Sequence, residues 1–119
     1  MPQESPDGRF VYYSKGGPFP QSVWRVPVEG GEAMKVLDGV HAKALWTVRA
    51  DGIYFFTKPD EKERSDLSIY EFATGKTRKI LTIERPITYL VEVSPDGRTI
   101  LFAQSDESGS DLMLVENFR

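Results

Sequence analysis

Ser5-Pro6-Asp7-Gly8-Arg9-Phe10 returns near the other end of the chain as Ser94-Pro95-Asp96-Gly97-Arg98-Thr99, and Asp51-Gly52 stands between the two. The three Asp-Gly pairs are 44 and 45 residues apart, and each precedes a short β-branched and aromatic run: FVYY, IYFF and TILF. A period of roughly 40 to 50 residues built from short strands is the mark of a propeller blade. Proline presets φ for a bend, aspartate accepts hydrogen bonds from the amides that follow it, and glycine takes positive φ without steric cost. Asp7, Gly8, Asp51, Gly52, Asp96 and Gly97 are therefore assigned as structural turn residues, one pair per blade. Three carboxylates a blade apart are too widely spaced to share one cation, so no metal site is expected from them.

Outward from these turns, apolar runs bounded by Gly, Pro and Asp mark strands. Blade one (5–38) takes strands at 9–14, 22–28 and 33–37, with no inner strand in front of its turn. Pro27 has no amide to donate, which places it near a strand end or edge. Blade two (43–83) has all four strands, at 44–48, 53–57, 67–72 and 77–83. Superimposing the turn glycines Gly31 and Gly75 sets Leu67 on Val23, Tyr70 on Val26 and Phe72 on Val28, so the repeat extends through the apolar positions. Blade three (87–119) takes 88–93, 99–103 and 112–115 and lacks an outer strand. The expectation is an all-β partial β-propeller of about three antiparallel blades and ten strands, the first without its inner strand and the last without its outer one. No useful length shows the i, i+3, i+4, i+7 spacing of an amphipathic helix.

Composition narrows the uses of such a fold. The 119 residues are 39% hydrophobic and 12% aromatic, enough for an ordered core, yet too few for a closed ring of about four to eight blades. Fifteen basic against eighteen acidic residues give a net charge of −3 with no basic cluster, which disfavours nucleic acid and anionic membranes as partners. The absence of cysteine removes disulfides, thiolate catalysis and thiolate metal sites. No apolar stretch approaches the ~18 residues of a membrane span, and the polar, turn-rich first residues carry no secretory signal. A soluble product is expected, in the cytoplasm, with the periplasm as the alternative.

Few residues present themselves as chemistry. His41, the only histidine, falls in a connection between blades with no nucleophile elbow in the chain, and one histidine cannot build a three-His metal site. The acidic stretch 106–111 (DESGSD) has a passing likeness to a calcium loop, but its glycine stands at position four instead of six and no glutamate follows at twelve. The mixed-charge stretch 59–66 reads as a solvated connection, and Asp66 and Asp111, 45 apart, read as caps on equivalent strands. Trp24, Trp46, Tyr12, Tyr13, Tyr54, Phe55, Phe56 and Phe102 are assigned to packing between blades, since each blade must bury both faces. No catalytic, cofactor-binding or metal-ligating residue is assigned, and the chain is expected not to be an enzyme.

SPDGRF at 5–10 and SPDGRT at 94–99 resemble the S-P-D-G-[KR] signature of WD40-like propeller repeats of the TolB type. VWRVPVEGGE at 23–32 and SIYEFATGKTRKI at 68–80 resemble the strand-and-turn frame that follows it, so the likeness covers the whole chain. GSDLMLVENFR at 109–119 is similar to the closing segment of propellers attached to bacterial winged-helix transcriptional regulators and Ser/Thr protein kinases. The resemblance implies the C-terminal piece of a larger bacterial propeller that serves as a binding, sensory or protein-interaction module. The alternative is a structural segment of a larger kinase or peptidase. It carries over no functional residue beyond the blade frame. The implied partner is a protein, a peptide or a small ligand. The uncovered end blades imply a homodimer, two chains forming a six-bladed ring, or completion by a missing half.

Overall fold

Apolar runs and the turns between them build eleven strands among the described residues, which are 2–16, 21–41, 45–94, 98–106 and 109–116 of the computed structural model. Blade one comprises β1 (Gln3–Glu4), β2 (Phe10–Lys15), β3 (Gln21–Pro27) and β4 (Met34–Val40). Blade two comprises β5 (Trp46–Arg49), β6 (Gly52–Phe56), β7 (Ser65–Glu71) and β8 (Lys76–Ile83), and blade three β9 (Ile87–Val93), β10 (Thr99–Asp106) and β11 (Gly109–Glu116). Each blade is an antiparallel meander in which neighbours in sequence are neighbours in the sheet. The expected all-β, three-blade architecture is present, and the outer strand of blade three is absent among the described residues.

Two expectations need correction. Blade one does have an inner strand, so the count is eleven and not ten: β1 pairs with β2 through Gln3↔Tyr12 and Glu4↔Val11. It escapes sequence patterning because it is two polar residues between Pro2 and the Ser5-Pro6 turn, with no alternation to detect. Its attachment to blade two comes from a side chain. The Gln3 Nε2 donates to the Trp46 carbonyl at 3.0 Å, while Oε1 accepts from the Val48 amide at 3.0 Å and the Thr47 hydroxyl at 3.2 Å. The carboxamide thus bonds to the β5 backbone as another strand would.

The second correction concerns the repeat. Glu4 and Val11, and likewise Val93 and Ile100, flank the first turn at a separation of seven residues, whereas Val48 and Ile53 do so at five. Asp51-Gly52 is in phase with the other pairs in sequence and out of phase in structure. Gly8 lies in the turn with φ +73°, as turn chemistry requires. Gly52 opens β6 instead, where a Cβ would overlap the Tyr70 carbonyl oxygen; glycine is needed there for close approach of β7.

Packing follows from alternation along the strands. Every residue of β6 is buried: Ile53 and Phe55 face blade one, joining Tyr12, Val23, Leu37, Val40, Trp46 and Val48. Tyr54 and Phe56 face blade three with Leu67, Ile69, Ile87, Val93, Ile100 and Phe102, and the Phe56 and Phe102 rings meet edge to face at 5.3 Å. Inter-blade packing thus holds for Tyr12, Trp46, Tyr54, Phe55, Phe56 and Phe102. Tyr13 and Trp24 differ: in the alternation of β2 and β3 they fall on the face opposite Tyr12 and Val23, and the Lys15 ammonium sits 4.5 Å from the Trp24 ring. No helix among the described residues is long and apolar enough to cross a membrane.

Candidate functional site

The turn serines, passed over in favour of Pro, Asp and Gly, do specific work. The Ser5 Oγ accepts the Phe10 amide at 3.1 Å, and the Ser94 Oγ accepts the Thr99 amide at 3.0 Å in the equivalent place. Asp7 accepts from the Ser5 hydroxyl at 2.6 Å and the Arg9 amide at 3.0 Å, which hold its carboxyl below its ordinary pKa in that order of importance. Asp51 instead accepts the Tyr54 hydroxyl at 2.9 Å. Asp96 and Gly97 lie outside the described residues.

Blade two has Arg49 where blades one and three have the serine. Its guanidinium reaches to the inner strand of blade three, with Nε donating to the Val93 carbonyl at 2.8 Å. Nη1 donates to the Val48 carbonyl at 3.1 Å and to the Thr47 hydroxyl at 3.4 Å, and Nη2 is 4.0 Å from the Glu92 carboxylate. Gln3 and Arg49 together fasten β5 to both adjacent inner strands.

A cleft of about 660 Å³ lies beside the first turn of blade one, with Arg49 and Ala50 of blade two also in its lining. Its walls are aromatic: Phe10 and Tyr12 from β2, Tyr70 from β7 and Phe72 from the turn after it. Phe10 meets Tyr12 edge on at 6.5 Å, Tyr12 lies 6.0 Å from Phe72 at a 31° tilt, and Tyr70 meets Phe72 edge on at 6.1 Å. Gly52 contributes indirectly, by letting β6 lie against the backbone of Tyr70.

Arg25 also lines this cleft. It shares the face of β3 that carries Val23, which is fully buried, so a guanidinium stands where the strand pattern calls for an apolar side chain. Its carbon stacks 4.4 Å from the Phe10 ring centre, and Nη1 reaches the Tyr12 hydroxyl only at 3.5 Å. Nε is buried with no hydrogen-bond partner among the described residues. Arg49 makes three hydrogen bonds and approaches one carboxylate; Arg25 has a single 3.5 Å contact among the described residues. The cleft holds two guanidinium groups and one carboxylate, Asp7, which its own turn engages. The sequence signal for this site is Arg25 within SVWRVPV, a charge in register with the buried face.

The remaining candidates are dispersed. His41 is buried after β4, with its amide donating to the Phe56 carbonyl at 2.9 Å. The stretch 106–111 is largely strand and not loop, since Asp106 pairs with Gly109, and residues 107 and 108 lie outside the described residues. Asp66 and Asp111 lie just inside the first residues of β7 and β11, and Asp66 accepts the Thr82 hydroxyl of β8 at 2.8 Å. In the connection before β7, Asp60 accepts the Lys62 and Arg64 amides, both at 2.9 Å, and the Arg64 Nε at 2.8 Å. These bonds, the Arg64 amide first, hold its carboxyl below its ordinary pKa. No group of three or more His, Cys, Asp or Glu among the described residues is placed to hold a metal ion.

Three successive antiparallel blades, packed face to face about their short inner strands, define a β-propeller segment. Solved β-propellers share this architecture. TolB from Acinetobacter baumannii superimposes with a TM-score of 0.70 at 17% identity, over 92% of this chain and 28% of that one. The β-propeller domain of the Trilobed protease from Pyrococcus furiosus, described as having an open velcro topology, superimposes with a TM-score of 0.69 at 16% identity, over 98% of this chain and 38% of that one. The chain therefore spans well under half the length of either neighbour. No family model and no curated protein matches it.

Proposed function

We propose that the chain is a non-enzymatic propeller module that binds a protein, peptide or small ligand in the cleft between blades one and two. The observation that carries this reading is the cleft itself: about 660 Å³, aromatic-walled, and lined by Arg25 and Arg49, the Nε of Arg25 having no hydrogen-bond partner among the described residues. Ligand sites are typically concave, largely apolar and supplied with a few convergent polar groups. The non-catalytic part of the reading is supported by His41, whose burial keeps it from the position a general base would take beside a substrate. Amide NMR against a panel of peptides and small organic fragments tests the reading. Shifts should gather at residues 7–11, 25, 49–52 and 70–72; shifts confined to the opposite end of the sheets would contradict it.

A second reading, a structural segment of a larger propeller protein such as a kinase or peptidase, is favoured by one observation. Leu112 and Leu114 are 64% and 56% exposed, whereas Leu67 and Ile69, one repeat earlier, are fully buried. In blade two that face is covered by the next blade; in blade three nothing described covers it. On blade one, Val11, Tyr13, Trp24 and Val26 form the opposite end face and are only partly covered. Our account takes a second copy as the cover: blade one of each chain packs on blade three of the other, and twice three blades falls within the range of closed rings. Both readings use the same blades, and they part at the cleft, which a purely structural segment leaves empty. The cytoplasm is the compartment we propose.

A further inference from the structure

We infer that the cleft between blades one and two recognises a carboxylate carried on an apolar or aromatic body, with Arg25 as its anchor. The inference rests on the reading of the cleft as a binding site and names the ligand chemistry. A guanidinium has five N–H donors and binds carboxylate best through a parallel fork. Among the described residues Arg25 has no carboxylate within ion-pair distance, its Nε is buried without an acceptor, and its Nη1 has only a 3.5 Å contact to the Tyr12 hydroxyl. A buried donor left unmade is costly, and a carboxylate that draws the guanidinium towards the cleft gives Nε the acceptor it lacks in its present packing.

The surroundings fix the rest of the ligand. The Phe10 ring holds the guanidinium plane from one side, at 4.4 Å, which limits the directions from which an anion can approach. Tyr12, Tyr70 and Phe72 then present ring surface within the same cleft, suited to a flat apolar group attached to the acid. Arg49 adds positive charge at the margin while its Nε and Nη1 are engaged by Val93, Val48 and Thr47. Asp7, the one carboxylate in the lining, has an oxygen committed to the Ser5 hydroxyl and the Arg9 amide, so its charge is drawn into the turn.

The shared chemistry has two sources, a free arylalkyl acid or an acidic side chain beside an aromatic one in a peptide. The full chain would be titrated with 3-phenylpropionate and with its neutral amide, and in parallel with the capped peptide acetyl-Ala-Phe-Asp-Ala-amide and its Asn counterpart. The Arg25 Nε–Hε resonance and the cleft amides are the readout. The acid should bind about ten- to a hundredfold more tightly than the neutral analogue, the range expected of charge-assisted hydrogen bonds. Arg25→Gln should abolish that preference while leaving amide binding in place, which also shows that the variant is folded. Arg25→Lys, which keeps the charge and removes the fork, should retain a smaller preference. Preference for the phenylpropionate over the Asp peptide would assign a small-molecule ligand, and the reverse order a peptide. Equal binding of acid and amide to the unaltered chain, or a preference that survives Arg25→Gln, overturns the carboxylate inference and leaves the cleft reading standing. Binding of none of the four probes removes both.

Discussion

Replacing Gln3 with alanine should destabilise the fold far more than its place in a two-residue terminal strand suggests. Strand β1 has only two residue pairs with β2, but the Gln3 carboxamide joins it to β5 by one donated and two accepted bonds. Trp46 and Val48 are 4% and 3% exposed, so truncation leaves a buried carbonyl and a buried amide without partners. Each such group costs about 1–3 kcal/mol, and partial access of water around Gln3, itself only half-buried, puts the sum near the lower end, about 2–4 kcal/mol. Gln3→Glu keeps the acceptor oxygens but turns a carboxylate towards the Trp46 carbonyl, so it should be at least as damaging at neutral pH. That loss should be partly recovered in acid, where the introduced carboxyl regains a proton to donate. Urea unfolding gives the free energy, and hydrogen exchange at the Val48 amide locates it. A Gln3→Ala protein within about 0.5 kcal/mol of the original, with Val48 exchange unchanged, would refute the idea that a side chain serves as part of the inner sheet; changes of that size are ordinary for surface substitutions.

Three other outcomes follow from the turns. Gly8→Asn should cost less than about 1 kcal/mol, because asparagine tolerates positive φ, whereas Gly52→Ala should cost at least about 2 kcal/mol through overlap with the Tyr70 backbone; urea midpoints in the opposite order would contradict the two roles. Ser94→Ala should lose about 1 kcal/mol with faster exchange at the Thr99 amide, and Ser5→Ala should do the same at Phe10. Asp60 has a folded-state pKa below its unfolded one, so its contribution is complete above the unfolded pKa and lost as pH falls through the folded one. The Lys62 and Arg64 amide shifts should accordingly titrate below the ordinary aspartate range, and a titration at the ordinary value would contradict the hydrogen bonding seen there.

Strands that bury at least one face could be read from the chain, because alternation and turn residues are local signals. The run IYFF became a fully buried strand, and Leu67 and Ile69 came out buried at the positions that repeat Val23 and its neighbours. What escaped depends on distant partners. Nothing local in Gln3-Glu4 reveals a strand, since its reason to be extended is the β5 backbone more than forty residues away. The Asp-Gly spacing concealed a change of phase: Arg49 and a shorter turn replaced the serine-anchored one without altering the repeat length. The cleft was half legible. Of its aromatic residues Tyr12 alone was assigned to packing, while Phe10, Tyr70 and Phe72 were read only as strand positions; Arg25 on the buried register was the overlooked sign that packing there is incomplete.

We propose that another copy of the chain covers the two end faces of these three blades. Molar mass in solution, measured by light scattering across a range of concentrations, tests that most directly. The prediction is a species of twice the 13.5 kDa chain mass, shifting towards monomer when Leu112 and Leu114 are both replaced by serine. A folded species that stays at 13.5 kDa at every concentration would contradict it.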